Sequence, residues 1–87
     1  MANPHAFSRD LLMKWDVRGL ADTDVDPDQA YLHQANQVLA LLRAGADMPV
    51  IAGYLIEEAS NLGAPPDRDR DRAAAFSCWA YWQLVSP

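Results

Sequence analysis

From Ala73 to Val85 the chain carries a helix-compatible run with no polar stripe. At about 100° per residue, Phe76, Trp79 and Trp82 fall on one broad face. Cys78, Tyr81 and Val85 fall roughly opposite, and only Ser77 and Gln83 are polar. A helix that is apolar all round is normally buried all round. A chain of 87 residues has little material with which to do that. The run therefore predicts a helix at the centre of the fold, or one that a second chain partly covers.

Size sharpens the problem. A domain this small buries roughly two thirds of the surface its unfolded chain exposes. At 51% hydrophobic residues with three tryptophans, the chain is expected to fold as one domain over 1–87. Its one cysteine, Cys78, has no internal partner for a disulfide and is expected buried and reduced, which suits a cytoplasmic protein. Pro4, His5, Ser8, Arg9 and Asp10 interrupt the N-terminus against a secretory signal. The apolar stretches 38–42 and 50–56 are far too short to cross a bilayer, so no membrane partner is expected. Abundant Ala, Asp, Arg and Leu suit a bacterial or phage source.

Four helices account for the periodicity. Asn3-Pro4 is a cap followed by a first-turn proline, and Phe7, Leu11 and Trp15 share a face, predicting a helix over 4–18 that stops at Gly19. Asp26-Pro27-Asp28-Gln29 reads as a capping-box start for a helix over 27–44, with Tyr31, Leu32, Ala35, Val38, Leu39 and Leu42 inward and Gly45 as the stop. Asp47 is expected to cap a helix over 48–62 with Met48, Ile51, Ala52, Leu55, Ile56, Ala59 and Leu62 inward and Gly63 as the stop. Gly45-Ala46 is so short that these two helices form a central antiparallel hairpin. After Pro65-Pro66, the last helix covers 67–85, and its alternating Asp and Arg residues offer opposite charges three apart. No strand pattern competes, so the expected class is all-α, a small four-helix bundle-like domain.

Charge narrows the partners. The net −5 is concentrated in Asp22, Asp24, Asp26 and Asp28. The chain has no basic stripe, which argues against direct nucleic-acid contact. The helix after the tight turn begins Asp47-Met48-Pro49-Val50 and has no basic residue to read a groove. The acidic loop is a poor calcium loop, since Pro27 and His33 stand where Gly and a bidentate Glu are needed. Catalysis has no visible signature: His5 and His33 lack an orienting carboxylate at helical spacing, and Cys78 sits in apolar surroundings. No catalytic residue, cofactor or metal site is assigned.

The expectation is a non-enzymatic protein-interaction module, a regulator, adaptor or inhibitor, that binds another protein or a second copy of itself. Phe76, Trp79, Trp82 and Tyr81 are its candidate anchors, since aromatic side chains dominate interface energetics. Val50 and Tyr54 are secondary contacts beside Gly53, which costs about 1 kcal/mol in a helix interior relative to Ala. The bland alternative makes the aromatic helix simply the core. A second alternative is an acidic inhibitor whose Asp22–Asp28 loop occupies a basic, nucleic-acid-binding site on its target. Salt separates the two modes, because it screens the acidic loop and leaves an aromatic contact intact.

Overall fold

The computed structural model describes residues 3–85. The chain is all-α: five helices pack around one core, with no strand among the described residues. The expected class holds, and the main departures from the expected boundaries trace to named residues.

Helix α1 spans residues 4–15 and opens as anticipated, with Asn3 Oδ1 accepting the Ala6 N–H at 2.8 Å. Its middle, Ser8–Leu12, is a π-helical turn in which the Met13 N–H reaches back to the Ser8 carbonyl. The wider turn brings Leu12, five residues after Phe7, into the core in place of Leu11. The helix ends at Trp15 rather than residue 18, because Asp16 takes a left-handed conformation (φ 33°). From there the Asp16 carboxylate accepts the N–H groups of Leu20 (2.8 Å) and Ala21 (3.0 Å) and organises the 3-10 turn Leu20–Asp22.

The expected helix over 27–44 is interrupted at Tyr31 (φ −125°, ψ 35°) into α2, Pro27–Ala30, and α3, Leu32–Arg43. Ser8 causes the break. Its hydroxyl donates to the Pro27 carbonyl at 2.7 Å and accepts the Tyr31 N–H at 2.9 Å. A hydroxyl from another helix thus stands between a carbonyl and the N–H four residues later that would otherwise bond directly, a recognised cause of kinks. Asp26 caps α2 through the Asp28 N–H (2.9 Å), but Gln29 does not close the box; its amide lies 3.4 Å from His5 Nδ1.

Helices α3 and α4 (Met48–Asn61) are joined through Gly45, whose φ of 89° allows Ala46 N–H to reach the Leu41 carbonyl and Gly45 N–H the Leu42 carbonyl. Gly63 closes α4 the same way. The Asp47 side chain makes no cap bond; its carbonyl accepts instead from Val50 and Ile51. Helix α5 spans Arg68–Val85, with Asp67 Oδ1 accepting the Arg70 N–H at 3.0 Å. None of the opposite charges three apart in 67–72 closes into an ion pair; Arg70 binds its neighbour Asp71 instead.

The most extensive pairing is α4 with α5. Ile51, Ala52, Leu55 and Ala59 of α4 join Ala74, Ala75 and Cys78 of α5 in the core. Phe7, Leu12 and Trp15 of α1, Tyr31, and Ala35, Val38, Leu39 and Leu42 of α3 complete it. A buried bond crosses this core, from Trp15 Nε1 to Asp71 Oδ1 at 2.8 Å, and Arg70 Nε holds the same oxygen at 3.0 Å.

Candidate interaction surface

The C-terminal helix is neither central nor enclosed. Its inward side is built from small residues, Ala74, Ala75 and Cys78, with Asp71 one turn before them. Small side chains let the α5 backbone lie close to α4, and they leave the larger residues elsewhere on the helix. Phe76 is 56% exposed and Leu84 is 84% exposed. Ala73 and Ala80 lie between and beside them, so 73, 76, 80 and 84 follow the i, i+3, i+7, i+11 spacing of one helical stripe. From Ala73 to Val85 that helix carries no charge.

The aromatic anchors therefore divide. Phe76 points outward. Trp79 and Trp82 are half-buried and pack against the core, and the Trp79 ring lies 6.4 Å from that of Phe76. Tyr81 is at the border of exposure on another flank, with its ring edge-on to Phe7 at 5.4 Å. One face shared by Phe76, Trp79 and Trp82 is thus corrected: the two tryptophans help close the monomer. Leu84 and the two alanines are the members of the stripe that the aromatic pattern concealed, though their spacing was readable.

On α4, Val50 is 48% exposed, as expected of an outer position. Tyr54 is not outward-facing. Its ring packs against the core and its hydroxyl is buried with no hydrogen-bond partner among the described residues. Burial first, and then the nearby negative charge of Glu58, push that phenol well above its ordinary range. Ile56, expected inside, is 39% exposed instead. With Met48, Pro49, Ala52 and Gly53 it lines a groove whose far wall carries Arg68 and Arg72 of α5.

The acidic loop is also divided. Asp26 is occupied as a cap and Asp28 lies 3.4 Å from Arg9. Asp22 and Asp24 are exposed. Asp16, outside the expected cluster, is the loop's organiser: burial raises its pKa, but the bonds from Tyr31 and from the Ala21 and Leu20 N–H groups outweigh this and hold it below the usual value. Tyr31 in turn is pushed up to about 12 by burial and by donating to Asp16 at 2.7 Å.

The residues that could bear other chemistry are dispersed. Burial pushes the Cys78 thiol up to about 12, so it is neutral and enclosed. His33 is exposed on α3. No cluster of three His, Cys, Asp or Glu side chains placed to hold a metal occurs among the described residues, and no helix there is long and apolar enough to cross a membrane. No protein-family model, no curated protein and no solved structure matches the chain, and the surface is assigned by its chemistry.

Proposed function

We propose that the protein is a non-enzymatic interaction module that docks through the outer face of α5, and that the face receives a second copy of the same chain. The observation that carries this reading is the inversion of α5: alanines and a cysteine fill the core while Phe76 and Leu84 stand in water. Trp79 and Trp82 serve the bundle from its flank, but a helix that needed only to complete that bundle would not set Phe76 and Leu84 in water.

The stripe favours a copy of itself. A large residue, Phe76, is flanked on its own stripe by Ala73 and Ala80, so two antiparallel helices can seat each phenylalanine over the other's alanines. The absence of charge from Ala73 to Val85 lets two chains of net −5 meet without bringing like charges together at the seam. Burying a Phe or Leu side chain is worth about 1.5–3 kcal/mol when complete. Because Phe76 is 56% and Leu84 84% exposed to begin with, the two residues from each of two copies give a gross gain of roughly 4–8 kcal/mol, against an association cost of about 4–15 kcal/mol. The expected dimer is weak and concentration-dependent.

Molar mass in solution tests this across a concentration series. The wild-type mass is expected to rise from the 9.6 kDa monomer toward twice that value, and to do so equally in high salt. Phe76→Asp and Leu84→Asp, both at exposed positions, are expected to stay monomeric with unchanged helix content. A wild-type chain that remains monomeric throughout overturns the reading.

A further inference from the structure

We infer that the groove between α4 and α5 is a second docking site, and that its occupant is an acidic amphipathic helix of a partner protein. This goes beyond self-association: it uses another surface, and shares with that reading only the premise that the chain acts by docking.

Two independent observations converge on the groove. The first is Gly53. It lies in the interior of α4, with no positive φ to require a glycine, and a Cβ added there would meet nothing within 4 Å. Internal packing therefore gives no reason for a residue that weakens the helix. Its effect is on shape, since Gly53 and Ala52 keep the floor low between Met48, Pro49 and Ile56. Any larger side chain at 53 would stand in the groove.

The second is charge. The chain is acidic, yet this wall presents Arg68 and Arg72, both exposed and one helical turn apart. Neither makes an ion pair among the described residues, whereas Arg9 and Arg70 do. Of the acids in the same run, Asp67 caps α5 and Asp71 is buried against Trp15, which leaves Asp69 as the one exposed carboxylate between the two arginines. Two free guanidinium groups above an apolar floor match a helix with apolar side chains on one face and carboxylates four residues apart on its flank. The volume, ≈ 330 Å³, is at the low end for sites that enclose a small molecule, about 300–1,000 Å³, and suits a few side chains of a helix laid along it.

A dye-labelled synthetic helix serves as the probe, with leucines along one face and two glutamates four apart beside them; its control replaces both glutamates with glutamine. Fluorescence anisotropy on the wild-type protein is expected to give roughly tenfold tighter binding of the glutamate peptide, a preference that shrinks as salt rises. Gly53→Leu, which fills the groove and favours the helix, is expected to weaken binding by about tenfold or more while raising thermal stability. The pair Arg68→Gln and Arg72→Gln is expected to abolish the preference between the two peptides. Equal binding of both peptides, no binding of the glutamate peptide, or full binding by folded Gly53→Leu overturns the inference. Phe76→Asp in the same assay separates the two surfaces: it is expected to remove dimerisation and leave peptide affinity unchanged, and a lost peptide affinity overturns the groove as a site distinct from the stripe.

Discussion

The two ends of the chain are held together by different physics. Residues 3–31 contain short, irregular helical pieces fixed by directional bonds: Ser8 to Pro27 and Tyr31, Tyr31 to Asp16, Asp16 to Leu20 and Ala21, and Trp15 to Asp71. The α4–α5 pair is two long regular helices, with Ala74, Ala75 and Cys78 of α5 in one core with Ile51, Ala52, Leu55 and Ala59 of α4; its buried and part-buried polar ties are few, Trp15 and Arg70 to Asp71 and Gln34 to Glu58. A segment with little regular structure cannot place its side chains by periodicity alone. Buried polar groups fix it there, because leaving any of them unpaired costs about 1–3 kcal/mol. The regular pair needs no such fixing, and its alanine-lined contact releases Phe76 and Leu84 to the surface.

Breaking that contrast has its largest effect at Trp15, where the two regions meet. Trp15→Ala removes a ring that is 3% exposed and leaves the buried Asp71 carboxylate with Arg70 as its remaining partner, with an expected loss of about 3–5 kcal/mol by chemical denaturation. Trp15→Phe keeps most of the bulk and is expected to lose about 1–3 kcal/mol, which reads the hydrogen bond largely apart from the packing. Ser8→Ala acts within the N-terminal region alone. It is expected to cost about 1–3 kcal/mol and to increase amide exchange around residues 27–31, while the amides of α4 and α5 keep their protection. If protection falls equally in both regions, the two are one cooperative unit.

Titration sharpens the comparison with smaller, graded effects. Asp16 has a folded pKa below the ordinary carboxylate value of 3.8, so its contribution is present above that pH and is lost as pH falls through the folded value. The N-terminal loop is expected to loosen first in acid. Cys78 has a folded pKa raised from 9.0 to about 12, so the folded state holds a proton that the unfolded chain releases. Its contribution is whole below pH 9.0 and is lost as pH rises toward about 12. Denaturation midpoints followed against pH, with Asp16→Asn and Cys78→Ala alongside, check the assignment: the first variant should flatten the acid limb and the second the onset of the alkaline one.

The same division explains what could be read from the chain. The caps at Asn3 and Asp26, the stops at Gly45 and Gly63, and the inward rows of α3 and, Ile56 excepted, of α4 follow local rules that tertiary contacts did not override. The interruption at Tyr31 was invisible, because it depends on where Ser8 sits relative to a segment 19 residues away, and no spacing in the sequence marks the π turn in α1. On α5 the composition was legible, but its orientation was misleading. Bulk suggested that Phe76, Trp79 and Trp82 formed one unit, whereas the short side chains of Ala74, Ala75 and Cys78 decide which side faces in. The basic wall of the groove was masked by its own sequence neighbours: Asp67, Asp69 and Asp71 make the run neutral on average, and although the four-residue spacing already puts Arg68 and Arg72 on one side of the helix, only the fold shows which groove that side borders.

The three tryptophans end up in different surroundings. Trp15 is dry and tethered to a carboxylate, while Trp79 and Trp82 are partly wet. Their emission should consequently resolve into a short-wavelength component from the first and a longer-wavelength one from the other two. An optical readout native to the chain could then distinguish loosening at one end from occupancy at the other, with no label attached.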